Sequence, residues 1–179
     1  MNLENEIAKY ERLPSQLIGK RIKKVSYFEI DCGEPTFELS DHHSLDYGLQ
    51  LETYNGETYY MIWDSQYVQY DLKFKKGTLN QELKPDSTIS YHDVSKSQYW
   101  SDRIAQKLIN IKSYWSSIMT GDKADKKYYP QDIELSFDNG LNVIVSAIEV
   151  RPDGQVNGMA DHISIFFDSE TAIKYGAKN

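Results

Sequence analysis

Four histidines and one cysteine are the side chains through which this chain could do nucleophilic, acid–base or metal chemistry. Three short clusters hold the histidines: Asp41-His42-His43 with Asp46, then His92-Asp93, then Asp161-His162. An imidazole beside a carboxylate suits general acid–base work or metal ligation. Adjacent histidines on a strand, however, point to opposite faces, so only a loop would let His42 and His43 share one metal. Cys32 lies in Asp31-Cys32-Gly33-Glu34, where flanking carboxylates oppose thiolate formation. No G-x-S-x-G elbow, no G-x-x-x-x-G-K phosphate loop and no G-x-G-x-x-G occurs. The 27 acidic residues offer many pairs for glycoside chemistry, which is why none stands out. The sequence therefore calls for no cofactor and no resident metal, and the expectation is a protein that is not an enzyme.

The acids are unevenly spread. Residues 25–72 contain no lysine or arginine but ten carboxylates: Glu29, Asp31, Glu34, Glu38, Asp41, Asp46, Glu52, Glu57, Asp64 and Asp71. Ten aromatic residues share that window, Tyr59, Tyr60 and Trp63 among them. The window carries −10 and the whole chain −7, which leaves +3 for the rest. Such a block suits a surface for a basic partner. The opposing expectation is that the acids are the wet faces of half-buried strands and the aromatics their core.

An isoelectric point near 5.1 argues against a general nucleic-acid binder. A single cysteine excludes an intramolecular disulfide and a Cys-based zinc cluster, and fits a reducing compartment. The opening MNLENEIAKYERL is not a signal peptide, and no run approaches the length of a membrane span. The expected location is the cytoplasm, with no membrane contact.

The elements that would position these residues can be read from periodicity. Leu3, Ile7, Tyr10 and Leu13 predict a short helix ending before Pro14. Residues 21–31 read as a strand, and Phe37 and Leu39 suggest another. Leu49 and Leu51 alternate with polar residues, Asn55-Gly56 follows, and Tyr59, Met61 and Trp63 alternate beyond, predicting a hairpin with a type I′ turn. Residues 68–74 add a third strand. The pattern returns around Asn139-Gly140, which lies 84 residues after Asn55-Gly56. Ser97 is a candidate cap for a helix through Trp100, Ile104 and Leu108, and residues 107–119 a candidate strand. Pro152-Asp153-Gly154 marks a turn, residues 162–168 a last strand, and Ser169 the cap of a closing helix. Loops are expected at 31–36, 41–46, 75–87, 120–130 and 151–161. The expected fold is α+β, a mainly antiparallel meander with a few short helices in a single domain, 1–179. Its halves, 1–90 and 91–179, can be read as two copies of a helix–strand–hairpin unit.

In size, acidity, absence of a catalytic motif and strand–Asn-Gly–strand layout, the chain resembles bacterial immunity proteins of polymorphic and contact-dependent toxin systems. That resemblance implies a cytosolic antitoxin that neutralises a cognate toxin domain, often a nuclease with a basic active site. Acidic side chains would steer association and aromatic ones anchor it. The residues expected to carry the contact are Asp31, Glu34, Asp41, Tyr60 and Asp64. One alternative is a small hydrolase or metal-dependent enzyme using His42, His43, Asp46 or the later Asp/His pairs. Another is a β-rich ligand-binding module whose tyrosines line a cavity instead of a core.

Overall fold

Alternating apolar side chains build two antiparallel sheets whose inward faces share one core. The computed structural model describes residues 2–83, 88–120, 125–151 and 153–178. Helix α1 (Leu3–Glu11) is capped by the Asn2 side chain, which accepts from the Glu4 N–H, and a 3-10 turn follows at Pro14–Leu17. Then come β1 (Ile22–Ile30), β2 (His43–Leu45), β3 (Gly48–Thr53), β4 (Thr58–Asp64), β5 (Asp71–Lys76), α2 (Leu79–Leu83) and β6 (Ile89–Asp93). The later half holds β7 (Leu108–Thr120), β8 (Asp125–Phe137), β9 (Asn142–Ser146), β10 (Ile148–Val150), β11 (Val156–Gly158), β12 (Ile163–Phe166) and α3 (Ser169–Lys174).

One sheet runs β5-β4-β3-β1-β6 and the other β2-β12-β9-β8-β7, while β10 and β11 form a separate pair. Val25, Tyr27, Leu49, Leu51, Tyr59 and Met61 of the first sheet meet Ile133, Leu135, Val143, Val145, Ile163 and Ile165 of the second. Burying side chains of this size contributes about 1.5–3 kcal/mol each. The outer faces are also partly apolar. Phe28, Tyr60 and Ile62 pack under Leu79 of α2, and Ile144 and Phe166 under Ala172 of α3. This double burial explains why both faces of β4 read as hydrophobic. Strands β7 and β8 pair along their whole length, but β9 follows β8 only from 132 to 136. Residues 115–120 and 125–130 thus continue as a two-stranded ribbon beyond the sheet. Helix α1 covers the outer edge of β7, where the Ser113 N–H and hydroxyl both donate to Glu11.

The mainly antiparallel architecture with few short helices agrees with the sequence. Several details differ. Residues 37–39 form no strand; they fold back over 42–44 through one bridge, Glu38 to His43, and Phe37 enters the core beside Tyr27. The 41–46 segment is not wholly loop, because it contains β2. Residues 97–105 form successive turns instead of a helix. Ala105 has φ 64°, which breaks helical propagation, and its N–H donates to the Ile22 carbonyl. The 75–87 and 151–161 segments contain α2 and β11, and most of 120–130 is the start of β8. Residues 84–87, 121–124 (Lys123 with them) and Pro152 of the expected turn lie outside the described residues. The cap of α3 is Asp168, not Ser169, since its carboxylate accepts the Thr171 N–H at 2.7 Å.

Neither Asn-Gly turn is type I′. Gly56 N–H donates to the Thr53 carbonyl, Gly140 N–H to that of Phe137, and only the glycines have positive φ, 82° and 84°. This is the three-residue loop with a left-handed glycine, which shifts the turn one residue upstream.

Candidate functional site

The acids of the 25–72 window do not form one open face. Lysines from outside the window reach four of the ten. Glu52 pairs with Lys23 at 2.8 Å, Asp64 with Lys73 at 2.6 Å, Asp41 with Lys174 at 2.9 Å, and Glu57 with both Lys20 and Lys76. Asp71 is buried and accepts the N–H groups of Tyr67 and Val68. Asp31, Glu34 and Glu38 stay exposed and have no ion pair among the described residues.

The expected contact residues therefore separate. Asp31 and Glu34 share the loop after β1, where the Asp31 carboxylate also accepts the Gly33 N–H. Tyr60 lies on the outer face of the first sheet, 4% exposed, and its hydroxyl donates to Glu82 at 2.8 Å. Asp64 ends β4 in its pair with Lys73. Asp41 is held at about 2 by its hydrogen bond with His42, then by Lys174 and Tyr175. The last three are engaged within the fold.

The histidines scatter too. His43 sits in the core, where its Nδ1 and the Tyr27 hydroxyl are 2.9 Å apart. His42 lies on the opposite side, against Phe166 and Tyr175. His92 bonds Ser90, while His162 approaches Asp46 at 3.6 Å and Asp161 at 3.3 Å. Among the described residues no group of three or more His, Cys, Asp or Glu side chains is arranged to hold a metal ion. Tyr27 and Tyr59 are fully buried and belong to the shared sandwich core.

One place does bring acidic chemistry together. Val25 and Tyr27 point into the core, and parity puts Glu29 on the same face two residues on, where the sandwich opens. Glu29 is 4% exposed. It faces Asp46, and the two brace each other through the backbone. The Asp46 N–H donates to Glu29 Oε1 at 3.3 Å, and the Ile30 N–H donates to Asp46 Oδ2 at 2.9 Å. Trp63 Nε1 fixes the Asp46 carbonyl at 2.8 Å. Burial, and then the nearby Asp46 charge, push the Glu29 carboxyl up to about 8. It therefore carries a proton at neutral pH.

These two line a recess of about 190 Å³ with Ser44, Glu149 and His162. A shallower groove adjoins it through Glu29 and Thr36, and is bordered by Asp31 and Glu34. Neither is lined by lysine or arginine. Arg151 stands nearby, its Nε 3.5 Å from Glu149. The sequence reading passed over Glu29 and Glu149 as site residues, although the 25, 27, 29 alternation was a usable signal for the first. A larger cavity, about 440 Å³, lies between α1 and the β7–β8 ribbon, with Tyr67, Trp115, Tyr128, Lys126 and Lys127 in its wall. Comparisons with protein-family models, curated proteins and solved structures found no match.

Proposed function

We infer that the chain is a non-catalytic, immunity-like binding protein of the cytosol that neutralises a basic protein partner, a cognate toxin domain, by docking it on the acidic end of the sandwich. The observation that carries this is the difference among the carboxylates. Glu52, Asp64, Asp41 and Glu57 are matched by lysines, whereas Asp31, Glu34 and Glu38 stand exposed with no ion pair among the described residues, beside a recess that no lysine or arginine lines. Unmatched charge of one sign steers a partner of the other and sets the approach rate. The test is titration against the protein encoded next to this chain, by calorimetry and by protection of cells expressing it. Asp31→Lys with Glu34→Lys should weaken binding by about tenfold or more, and added salt should weaken it further. Lys23→Glu, which frees Glu52 on the strand face, should do much less. Absence of binding and of protection sinks the proposal.

A second reading has its own support. The 440 Å³ cavity combines the rings of Tyr67, Trp115 and Tyr128 with Lys126 and Lys127 against a single carboxylate among the described residues, Glu6, which bonds Tyr67, a lining that suits a planar organic anion. Titration with 2-naphthoate should quench Trp115 emission, and Trp115→Leu should remove the response. Equal quenching in that variant overturns it.

The two hairpins also support descent of both sheets from one strand–hairpin unit. The units β1-β3-β4-β5 and β7-β8-β9-β12 share strand order, and Leu51↔Tyr59 matches Leu135↔Val143 at the same 84-residue offset. Helix α1 has no helical counterpart before β7, so the unit excludes it. Superposition should align all four strands; failure of β1 to fall on β7 would count against duplication.

A further inference from the structure

We propose that the cavity between α1 and the β7–β8 ribbon binds an aminopurine nucleoside monophosphate, with its base against Trp115 and Tyr67, its amine toward Glu6 and its phosphate on Lys126 and Lys127. This rests on the organic-anion reading of that cavity and adds the ligand class and the direction in which it lies.

The aromatic wall is fixed before any ligand arrives. Trp115 Nε1–H donates to Ser113 Oγ at 3.2 Å, and that hydroxyl donates to Glu11 Oε1 at 2.7 Å. Tyr10 and Tyr67 pack against the indole at 84° and 75°, with ring centres 5.7 and 5.0 Å away. Tyr10 is itself tied to β5, its hydroxyl donating to the Leu72 carbonyl at 2.7 Å. The loop that brings Gln66 and Tyr67 to the cavity winds round the buried Asp71 carboxylate, which accepts the N–H groups of Gln66, Tyr67 and Val68. Bonds within the protein thus hold the rings where a flat base can stack, and little ordering is left for the ligand to impose.

The opposite wall is left free. Lys127 makes no ion pair among the described residues, and Lys126 rests on the Tyr128 ring, 5.0 Å from its centre. Both line the cavity although strand neighbours alternate sides, so the opening runs along the edge of β8. Strand β9 pairs with β8 only from 132 onward. Alternate N–H groups of 126–129 on that edge therefore have no strand partner among the described residues and can join the lysines as donors.

Charge is split across the cavity. Glu6 stands on α1, hydrogen-bonded to the Tyr67 hydroxyl, and neither lysine pairs with it. Two ammonium groups attract a doubly charged phosphate more strongly than a single carboxylate. Glu6 repels an anion but accepts from an amine, so the ligand carries a donor at one end and its charge at the other. The Gln66 amide, donor and acceptor together, suits the edge of a purine. The volume, about 440 Å³, lies in the range of small-molecule sites and leaves room for base, sugar and phosphate.

The experiment titrates the full chain with adenosine 5′-monophosphate, by calorimetry and by tryptophan emission excited where adenine does not absorb. The counterparts are adenosine, ribose 5-phosphate and purine riboside 5′-monophosphate, which lack the phosphate, the base and the amine in turn. Each should bind about tenfold more weakly or worse, since each forfeits a charged hydrogen bond or a stacked base. Lys126→Ser with Lys127→Ser, both exposed in the free protein, should weaken the monophosphate about tenfold and leave adenosine unchanged. Trp115→Leu should weaken every ligand that carries the base. Equal binding of any counterpart to the unsubstituted protein overturns the proposal without needing a variant, and so does equal weakening of adenosine by the lysine substitutions. If 2-naphthoate binds and the nucleotide does not, the organic-anion cavity stands and the nucleotide falls. If neither binds, both fall.

Discussion

Two buried ionisable side chains set opposite pH responses. Glu29 has its proton held well above the ordinary carboxyl value of 4.5, up to about 8. A raised carboxyl pKa means that the folded state binds the proton more tightly, so the stability it supports is lost as pH rises from 4.5 to about 8. At about 1.4 kcal/mol per unit, the loss is on the order of 5 kcal/mol once the carboxyl is fully ionised. Glu29→Gln should lack this decline, and urea unfolding at pH 5 and pH 8 would measure it; parallel behaviour of the two proteins would refute it. His43 runs the other way. Burial, then the charge of His42, lower it from 6.5 to about 4. Trp100 Nε1–H donates to the Tyr27 oxygen, and that hydroxyl lies 2.9 Å from His43 Nδ1. Stability contributed by keeping it neutral is lost as pH falls from 6.5 to about 4. His43→Gln should be less stable near neutrality but should show a shallower acid limb in the same assay. Glu29 was legible by parity with Val25 and Tyr27, yet a charge count hides which carboxylate is dry. The ion pairs of the window were not legible at all, because Lys20 meets Glu57 and Lys174 meets Asp41 across long stretches of chain.

Among the elements, the hairpin β3–β4 was the most readable, because alternation and an Asn-Gly turn agree. Its turn type was misread, since Asn-Gly also serves a loop in which only glycine needs positive φ. Strand β2 has three residues, too few for a period to show. The 97–108 segment mimicked a helix because Trp100, Ile104 and Leu108 are spaced for one, but turns around Arg103 satisfy that spacing as well. Arg103 is buried and donates to the carbonyls of Tyr99, Asn142 and Phe167, tying the turns to the second sheet. The β3–β4 contact depends on a small residue. A Cβ at Gly48 would sit 2.1 Å from the Met61 carbonyl oxygen, which belongs to the backbone and cannot swing away. Gly48→Ala should therefore cost about 2–4 kcal/mol, against well under 1 for Ala at the exposed Ser65. A thermal melt comparing the two decides this; equal midpoints would show that the strands adjust freely.

For the molecule as a whole, two sheets share one core, and the acidic opening lies where the first strand runs past that core. No described helix is long and apolar enough to cross a membrane. The sheets are joined by more than apolar contact. Trp100 is fully buried, its Nε1–H donates to Tyr27 Oη at 2.6 Å, and that hydroxyl meets His43 of the opposite sheet. Trp63 and Trp115 are only half-buried. The chain thus contains its own optical gauge of inter-sheet alignment. A rigid indole clamped to a phenol in a dry, asymmetric setting yields blue-shifted emission and intense near-ultraviolet dichroism. Tyr27→Phe should broaden and weaken that dichroic band while leaving the far-ultraviolet spectrum of the strands in place. Slippage of one sheet over the other would then be visible as a colour change before any strand is lost.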